Sequence, residues 1–543
     1  LILGIILACL FLSHFQMSGE ERLRAYYRQL FPDLFSTRLE PTMTQSKFDN
    51  SVWPSVEQIR RGWESQPQEF NYECTVEGNI PNEISGSFFR NGPGLLEVYG
   101  TPLVHPIDGD GMVCSVSIKD GRAHFRSKYV ATKEYTAEKA EQKALYRGMM
   151  GTNPVDDWKE SLERQLKDEK VPDQPKFKNP SNTNVYFWGG KLLACWESGL
   201  PYSLDPVTLE TIGRDNLGGA LDESNCLAAH FRYDSVHDRL VTFSLRLSLR
   251  KSTRLFIHEF DRQWNLVKQQ IVEIEQYNYA HDFLLTDNYY VFHHTPFYNF
   301  TADNLMKIAT MQHGPGQTMQ YYPEVPSGMV VIPRYPAPGR EGQFKFFKCE
   351  PFHIYHHINA YETETGITFS SVCLGEAFTM EFEGKFSLFN ASAAPGRVYS
   401  FDINLALDTM TWKQVDGCSC EFPTSNISMT GKPWRYAYLM AAEAGKPEIP
   451  YQEVIKFDTA QSNRQVWSAR SESGVIGEPV FIPHPEGKEE DDGWVIVQMY
   501  CCKTHKTQFV LLDARDLSAG PIARIHLNYH IPYGFHGTWS TLQ

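Results

Sequence analysis

Little in this 543-residue chain signals a chemistry locally. None of its eleven cysteines forms a C-x-x-C pair, which argues against a zinc ribbon or a thioredoxin-type site. Their odd number and loose spacing predict free, buried thiols and not a disulfide framework. There is no H-E-x-x-H and no G-x-S-x-G nucleophile elbow, and Gly189-Gly190-Lys191 lacks the spacing of a phosphate loop. Asp108 to Met112 (DGDGM) opens like a calcium loop, but Lys119 stands where a bidentate Glu is needed. The formal charge is −14, and no run of Lys and Arg is long enough to track a phosphate backbone. Nucleic acid is therefore excluded as a partner, and the acidity speaks for solubility. Leu1 to Leu12 is almost wholly apolar, yet shorter than the roughly 20 residues that span a bilayer. Residues 1–16 are expected to be a leader or a truncated anchor, which leaves the compartment open.

What is present is aromatic and strand-like. Phe, Trp and Tyr make up 13% of the chain, suiting thick β packing or a wide apolar pocket. After an N-terminal helical or extended segment at 17–69, with an amphipathic helix at Glu20 to Phe31, residues 70–543 read as short strands between turns. Examples are Phe88-Phe89-Arg90, Met112 to Ile118, Val185 to Trp188, Leu240 to Phe243 and Trp494 to Tyr500. An apolar strand, an Asp and a turn recur around Asp205, Asp261, Asp402, Asp458 and Asp513. The intervals are 56 residues from Asp205 to Asp261, 56 from Asp402 to Asp458 and 55 from there to Asp513. Such a period is what one blade of a β-propeller produces. Weaker copies around Asp120 and Thr363 bring the count to about seven, with a two-sheet sandwich as the competing fold. Ala137 to Met150 and Asp157 to Lys170 are expected as helices outside the blades. A third helix, amphipathic, is expected within Pro296 to Gln312, carrying Phe297, Phe300, Leu305, Met306 and Met311 as a core cap or membrane contact.

Four of the eighteen histidines stand out by context: His230 (LAAHFRYD), His281 (NYAHDF), His356 (FHIYHHINAYE) and His536 (YGFHGTW). They lie 51, 75 and 180 residues apart, so they form no local metal motif. A propeller could still bring them together, because inner strands of different blades converge on one axis. Strand alternation lets only one of His356 and His357 face that axis.

These contexts resemble the iron-ligand motifs of the carotenoid cleavage oxygenases. Further matches follow in order: FFRNGPG (88–94), HPIDGDGM (105–112), NTNVYFWGGKLLACWESGLPYSLDP (182–206), CEFP (420–423) and GEPVFIP (477–483). The resemblance spans roughly residues 70–541 and is nearest the cyanobacterial apocarotenoid branch. It implies an all-β, seven-bladed propeller with a helical dome over the iron-bearing face. It implies Fe(II) on His230, His281, His356 and His536, with Glu197, Glu421 and Glu478 bonded to outer ring nitrogens. Thr183 matches a position near the open coordination site. Neutral imidazoles suit a ferrous ion but leave its charge uncompensated, and carboxylates one bond farther out supply the balance.

The family's reaction splits a conjugated double bond with O2, giving aldehydes such as retinal from an apolar polyene. The implied partners are O2, that polyene and a membrane surface, with no protein partner. Stilbene cleavage or retinoid isomerohydrolase chemistry on the same scaffold is the nearest alternative. A non-enzymatic propeller acting as an interaction module is the remaining one.

Overall fold

The computed structural model describes residues 54–541 apart from 154–176, 223–225, 247–251, 276–278, 296, 299–303, 305–306, 309–310, 322–326, 375–395 and 444–449. Seven antiparallel sheets of four or five strands form a ring of blades, with two short two-stranded ribbons added. The innermost strands, taken blade by blade, are Gly537–Ser540 (blade 1), Asn184–Trp188 (2), Arg232–Asp234 (3), Phe283–Leu285 (4), His353–Glu362 (5), Cys420–Thr424 (6) and Gly474–Pro483 (7). Successive inner strands pack against one another from blade 3 through blade 7 to blade 1, and blade 1 packs on blade 2. Both ends of the described chain close the ring. The C-terminal strand Gly537–Ser540 pairs with Gly86–Arg90 in blade 1, and Thr75–Gly78 pairs with Pro521–His526 in blade 7.

The core lies between blades. One cluster joins blades 1 and 7 (Phe88, Val116 and Phe125 with Phe509, Leu511 and Ile525), and equivalent clusters join the other six pairs of neighbours. A middle strand sandwiched this way is buried on both faces, as in Gly493–Cys501, whereas the outer strand Leu266–Glu275 alternates exposed and buried. Burying one such aromatic contributes on the order of 2 kcal/mol. The nine cysteines described are free thiols.

The Asp markers fall at equivalent places. Asp120, Asp205, Asp261, Asp458 and Asp513 all lie where the third strand of a blade turns into the fourth. There Asp205 accepts the N–H groups of Val207 and Thr208, and Asp261 those of Gln263 and Asn265. In blade 5 the turn is capped instead by Asn404, which accepts from Ala406 and Leu407. Thr363 proves to be no separate blade, since it sits between the first two strands of the blade that also contains Asp402. Blade 4 is the unmarked one, and Arg334 begins its third-to-fourth connection. Gly189 and Gly190, both at positive φ, form the two-residue hairpin turn between Trp188 and Lys191.

Among the described residues the helical additions are small. A helix spans Lys133–Glu141 and stops at Gln142 in the left-handed region, so the expected helix at 137–150 starts earlier and ends earlier. Beyond it, Ala144, Leu145, Tyr146 and Met150 are buried and not decorative. The DGDGM acids explain why. Asp108 accepts the N–H groups of Met150 and Thr152, and Lys178 bridges Asp110 to helical Glu138, so this loop is tied to blade 1. Most of 296–312 lies outside the described residues. Of the remainder, Phe297–Tyr298 is a short strand paired with Gln320–Tyr321, Asn304, Lys307 and Ile308 are helical as expected, and Met311 is a buried turn residue. The expected helices at 20–31 and 157–170, and the apolar residues 1–12, also lie outside.

Candidate metal centre

Four blades deliver one histidine each to a single point. His230 precedes the inner strand of blade 3, His281 that of blade 4 and His536 that of blade 1, while His356 lies within the inner strand of blade 5. Their Nε2 atoms are 2.9 Å apart for His230–His281, 3.2 Å for His281–His356 and 3.1 Å for His356–His536. All four side chains are buried.

The outer nitrogens meet the three glutamates. His281 Nδ1 lies 2.6 Å from Glu197, His356 Nδ1 2.6 Å from Glu421 and His536 Nδ1 2.8 Å from Glu478. Glu197 comes from blade 2, Glu421 from blade 6 and Glu478 from blade 7, so every blade contributes to the centre. Three of these residues sit at interruptions of the strand ladder. Pairing slips by one residue around His356, between Glu421 and Thr424, and between Ile476 and Pro479 on either side of Glu478. A β-bulge re-aims a side chain that plain alternation would send elsewhere. Phe422, at φ 50°, is part of the second one.

The donor set carries its own test for a cation. Each Nδ1 that faces a glutamate donates its proton there, so the Nε2 atoms of His281, His356 and His536 are lone-pair acceptors. Acceptors cannot hydrogen-bond to one another, yet they approach within 3.2 Å. A divalent ion resolves the conflict. Nitrogens about 2.1 Å from one ion and at right angles lie about 3 Å apart, the spacing seen here.

The electrostatics agree. Burial and the neighbouring histidines hold His230 and His536 well below the ordinary imidazole value. Burial also opposes protonation of His281, but the Glu197 carboxylate outweighs it and raises that group. Burial pushes Glu478 up to about 7, against a downward pull from Arg90.

Several contributors were not anticipated from the sequence. Asp282 accepts from Arg232 at 2.5 Å and from His357 N–H at 2.9 Å, and places an oxygen 3.9 Å from His230 Nδ1. Its position directly after His281 in AHDF was the available signal. Asn91 of FFRNGPG donates to the carbonyls of Ser181 and Asn184, and its own N–H donates to His536 O at 2.9 Å. Asn184 donates to Ala229 O, just before His230. These motif asparagines clamp the histidine-bearing segments together. Thr183 is buried; its hydroxyl donates to Asn182, and its carbonyl accepts from His536 N–H. His357 bonds Ser371 and faces away from the cluster. Aromatic rings close the approach, with Phe422 centred 4.9 Å from the His356 ring and 4.8 Å from that of His536, and Tyr355 5.5 Å from that of His281.

Carboxylates bonded to the outer nitrogens of His281, His356 and His536 are expected to act through orientation, which sets a quantitative expectation. Glu421→Gln and Glu478→Gln should each weaken metal retention about 10–100-fold, with the fold unchanged. Competition with a chelator measures this, and retention equal to the parent chain would remove those carboxylates from the centre.

Comparison with known proteins follows the same lines. Residues 63–541 match the family described as retinal pigment epithelial membrane protein. Apocarotenoid-15,15'-oxygenase of Synechocystis sp. is 36% identical over 489 residues, covering 88% of this chain and 95% of the relative. Isoeugenol monooxygenase of Pseudomonas putida is 27% identical over 482 residues, covering 87% and 95%. The crystal structure of cobalt-substituted Synechocystis ACO superimposes with a TM-score of 0.82 at 36% identity, covering 90% of this chain and 99% of that one.

Proposed function

The chain belongs to the carotenoid cleavage oxygenase family, matched as retinal pigment epithelial membrane protein, and on that premise we propose that it uses Fe(II) and O2 to split a conjugated double bond of an apocarotenoid. The observation that carries this reading is the buried cluster of four histidines backed by three glutamates. The relative at 36% identity is named for apocarotenoid cleavage, whereas the isoeugenol and resveratrol enzymes are 26–28% identical, which favours the polyene over a phenolic substrate.

His230, His281, His356 and His536 would hold the ion, and a ferrous ion there would supply a site at which O2 meets the double bond. The remaining work falls to the chain. Glu197, Glu421 and Glu478 fix the tautomers of His281, His356 and His536 and place negative charge one bond beyond these neutral imidazoles. Phe422 and Tyr355 present ring faces and edges to a substrate that offers almost no hydrogen-bonding handle. The closed ring of blades keeps bulk water from the His cluster, which is buried on all four members. Both oxygen atoms end in the two aldehydes and the double bond supplies the electrons, so no organic cofactor is required. A polyene of this class dissolves in lipid, and peripheral membrane contact belongs to the proposal. Among the described residues no helix is long and apolar enough to cross a membrane.

An oxygen electrode paired with product chromatography tests the reading on iron-loaded protein. With an apocarotenal in air, one O2 should be taken up for each pair of aldehydes formed, retinal among them, and both should fall to background under nitrogen. Turnover of a retinyl ester under nitrogen, with apocarotenals untouched, would replace cleavage by isomerohydrolysis.

A further inference from the structure

The three glutamates are not anchored alike. Glu421 also accepts the N–H of Phe422, and Glu478 accepts the N–H of Gly537 at 2.7 Å. Both lie on strands, where backbone donors run beside the carboxylate. Glu197 lies in the connection between Lys191–Cys195 and Tyr202–Leu204, and among the described residues it accepts from no backbone N–H. Its second donor is a side chain. The Tyr279 hydroxyl stands 3.2 Å from both carboxylate oxygens. The same hydroxyl is 3.2 Å from His281 Nδ1, but that nitrogen gives its proton to Glu197 at 2.6 Å and cannot accept another. The phenol proton therefore goes to the carboxylate.

We propose that Tyr279 is a positioning residue of the metal centre, its hydroxyl replacing the backbone anchor that Glu197 lacks and so fixing the aim of His281. The inference rests on the four-histidine reading of the site. Without the phenol, Glu197 keeps a single donor, and its carboxylate can rotate away from His281. That loosens one ligand and leaves the other three as they were. Tyr279 lies two residues before His281, so one short segment supplies both the imidazole and the donor that locks its partner.

The test is a double-mutant cycle read on the metal alone. Protein loaded with Co(II) is challenged with a chelator, and metal loss and the visible spectrum are followed for the parent chain, Tyr279→Phe, Glu197→Gln and the double variant. Tyr279→Phe should release the ion about 3–10-fold faster and shift the spectrum, while its thermal unfolding without metal stays unchanged. In the Glu197→Gln background the same change should add nothing, whereas with Glu478→Gln it should add in full. Parent-like retention by Tyr279→Phe overturns the proposal, as does additivity with Glu197→Gln. Should Tyr279→Phe raise only the KM for polyene, the hydroxyl is a substrate contact and the proposal fails. Failure of the parent chain to take up Co(II) would instead sink the metal reading beneath it.

Discussion

Replacing His356 by alanine is expected to strip the metal and abolish turnover, while replacing its neighbour His357 leaves both in place. The two are consecutive on the inner strand of blade 5, with the ladder slipping between Ile354 and His357. His356 Nε2 lies 3.2 Å from His281 and 3.1 Å from His536, at the middle of the chain of contacts, and its Nδ1 occupies Glu421. His356→Ala removes one donor and also strands the Glu421 carboxylate, buried without its partner. Changing an outer carboxylate costs about 10–100-fold in affinity, so losing an imidazole should exceed a hundredfold. His357 bonds Ser371 Oγ at 2.7 Å inside the blade. Its loss should cost about 1–3 kcal/mol of stability through an unmade buried hydrogen bond, with full metal content. Metal per chain and an unfolding curve for each variant decide the matter. The reverse pattern, metal lost from His357→Ala and kept by His356→Ala, would invert the register of that strand.

Propeller architecture was legible because a turn is local chemistry. An Asp closes the third strand in five of the blades, accepting two backbone N–H groups at Asp205, Asp261 and Asp458 and one at Asp513, and the 55–56-residue interval follows from repeating four strands. The reading failed where another residue took the same part. In blade 5 Asn404 does it, two residues past Asp402, and in blade 4 no acidic marker exists. Thr363 filled the gap in the count by mimicking a turn within a blade already marked. The site was legible only in part. Spacings of 51, 75 and 180 residues show no convergence until the ring is closed. Alternation correctly separates His356 from His357, but the bulges that aim Glu421 and Glu478 depend on tertiary packing. Phe422 at positive φ, before Pro423, is not a conformation that propensity would suggest. Tyr279 was equally hidden, since its partner Glu197 comes from another blade, and Asp282 offered no signal beyond its place directly after His281.

Blade 4, the one without an acidic marker, carries the strongest structural expectation. Arg334→Met should destabilise the protein by about 3–5 kcal/mol at neutral pH, because it removes one member of a buried charge cluster. The Arg334 side chain is 1% exposed. Its guanidinium donates to Asp234 at 2.6 Å and to both oxygens of Glu259 at 2.9 Å, joining blade 4 to the first and third strands of blade 3. Arg239 and Tyr290 complete the bonds to Glu259. Burial alone would raise Glu259, yet the Arg334 bonds outweigh it and hold the carboxyl down at about 2. A folded value below the unfolded one stabilises fully above the ordinary glutamate range. That contribution drains away as pH falls from about 4.5 towards about 2. The variant has already lost most of it at neutral pH. Its deficit against the parent chain should therefore shrink on acidification, as protonating Glu259 relieves the buried charge in the variant and weakens the ion pair in the parent. Denaturant midpoints at pH 7 and pH 3.5, followed by tryptophan fluorescence, measure both quantities. A parent-like midpoint at pH 7, or a deficit that grows in acid, would mean that Arg334 does not hold these blades together through its charge.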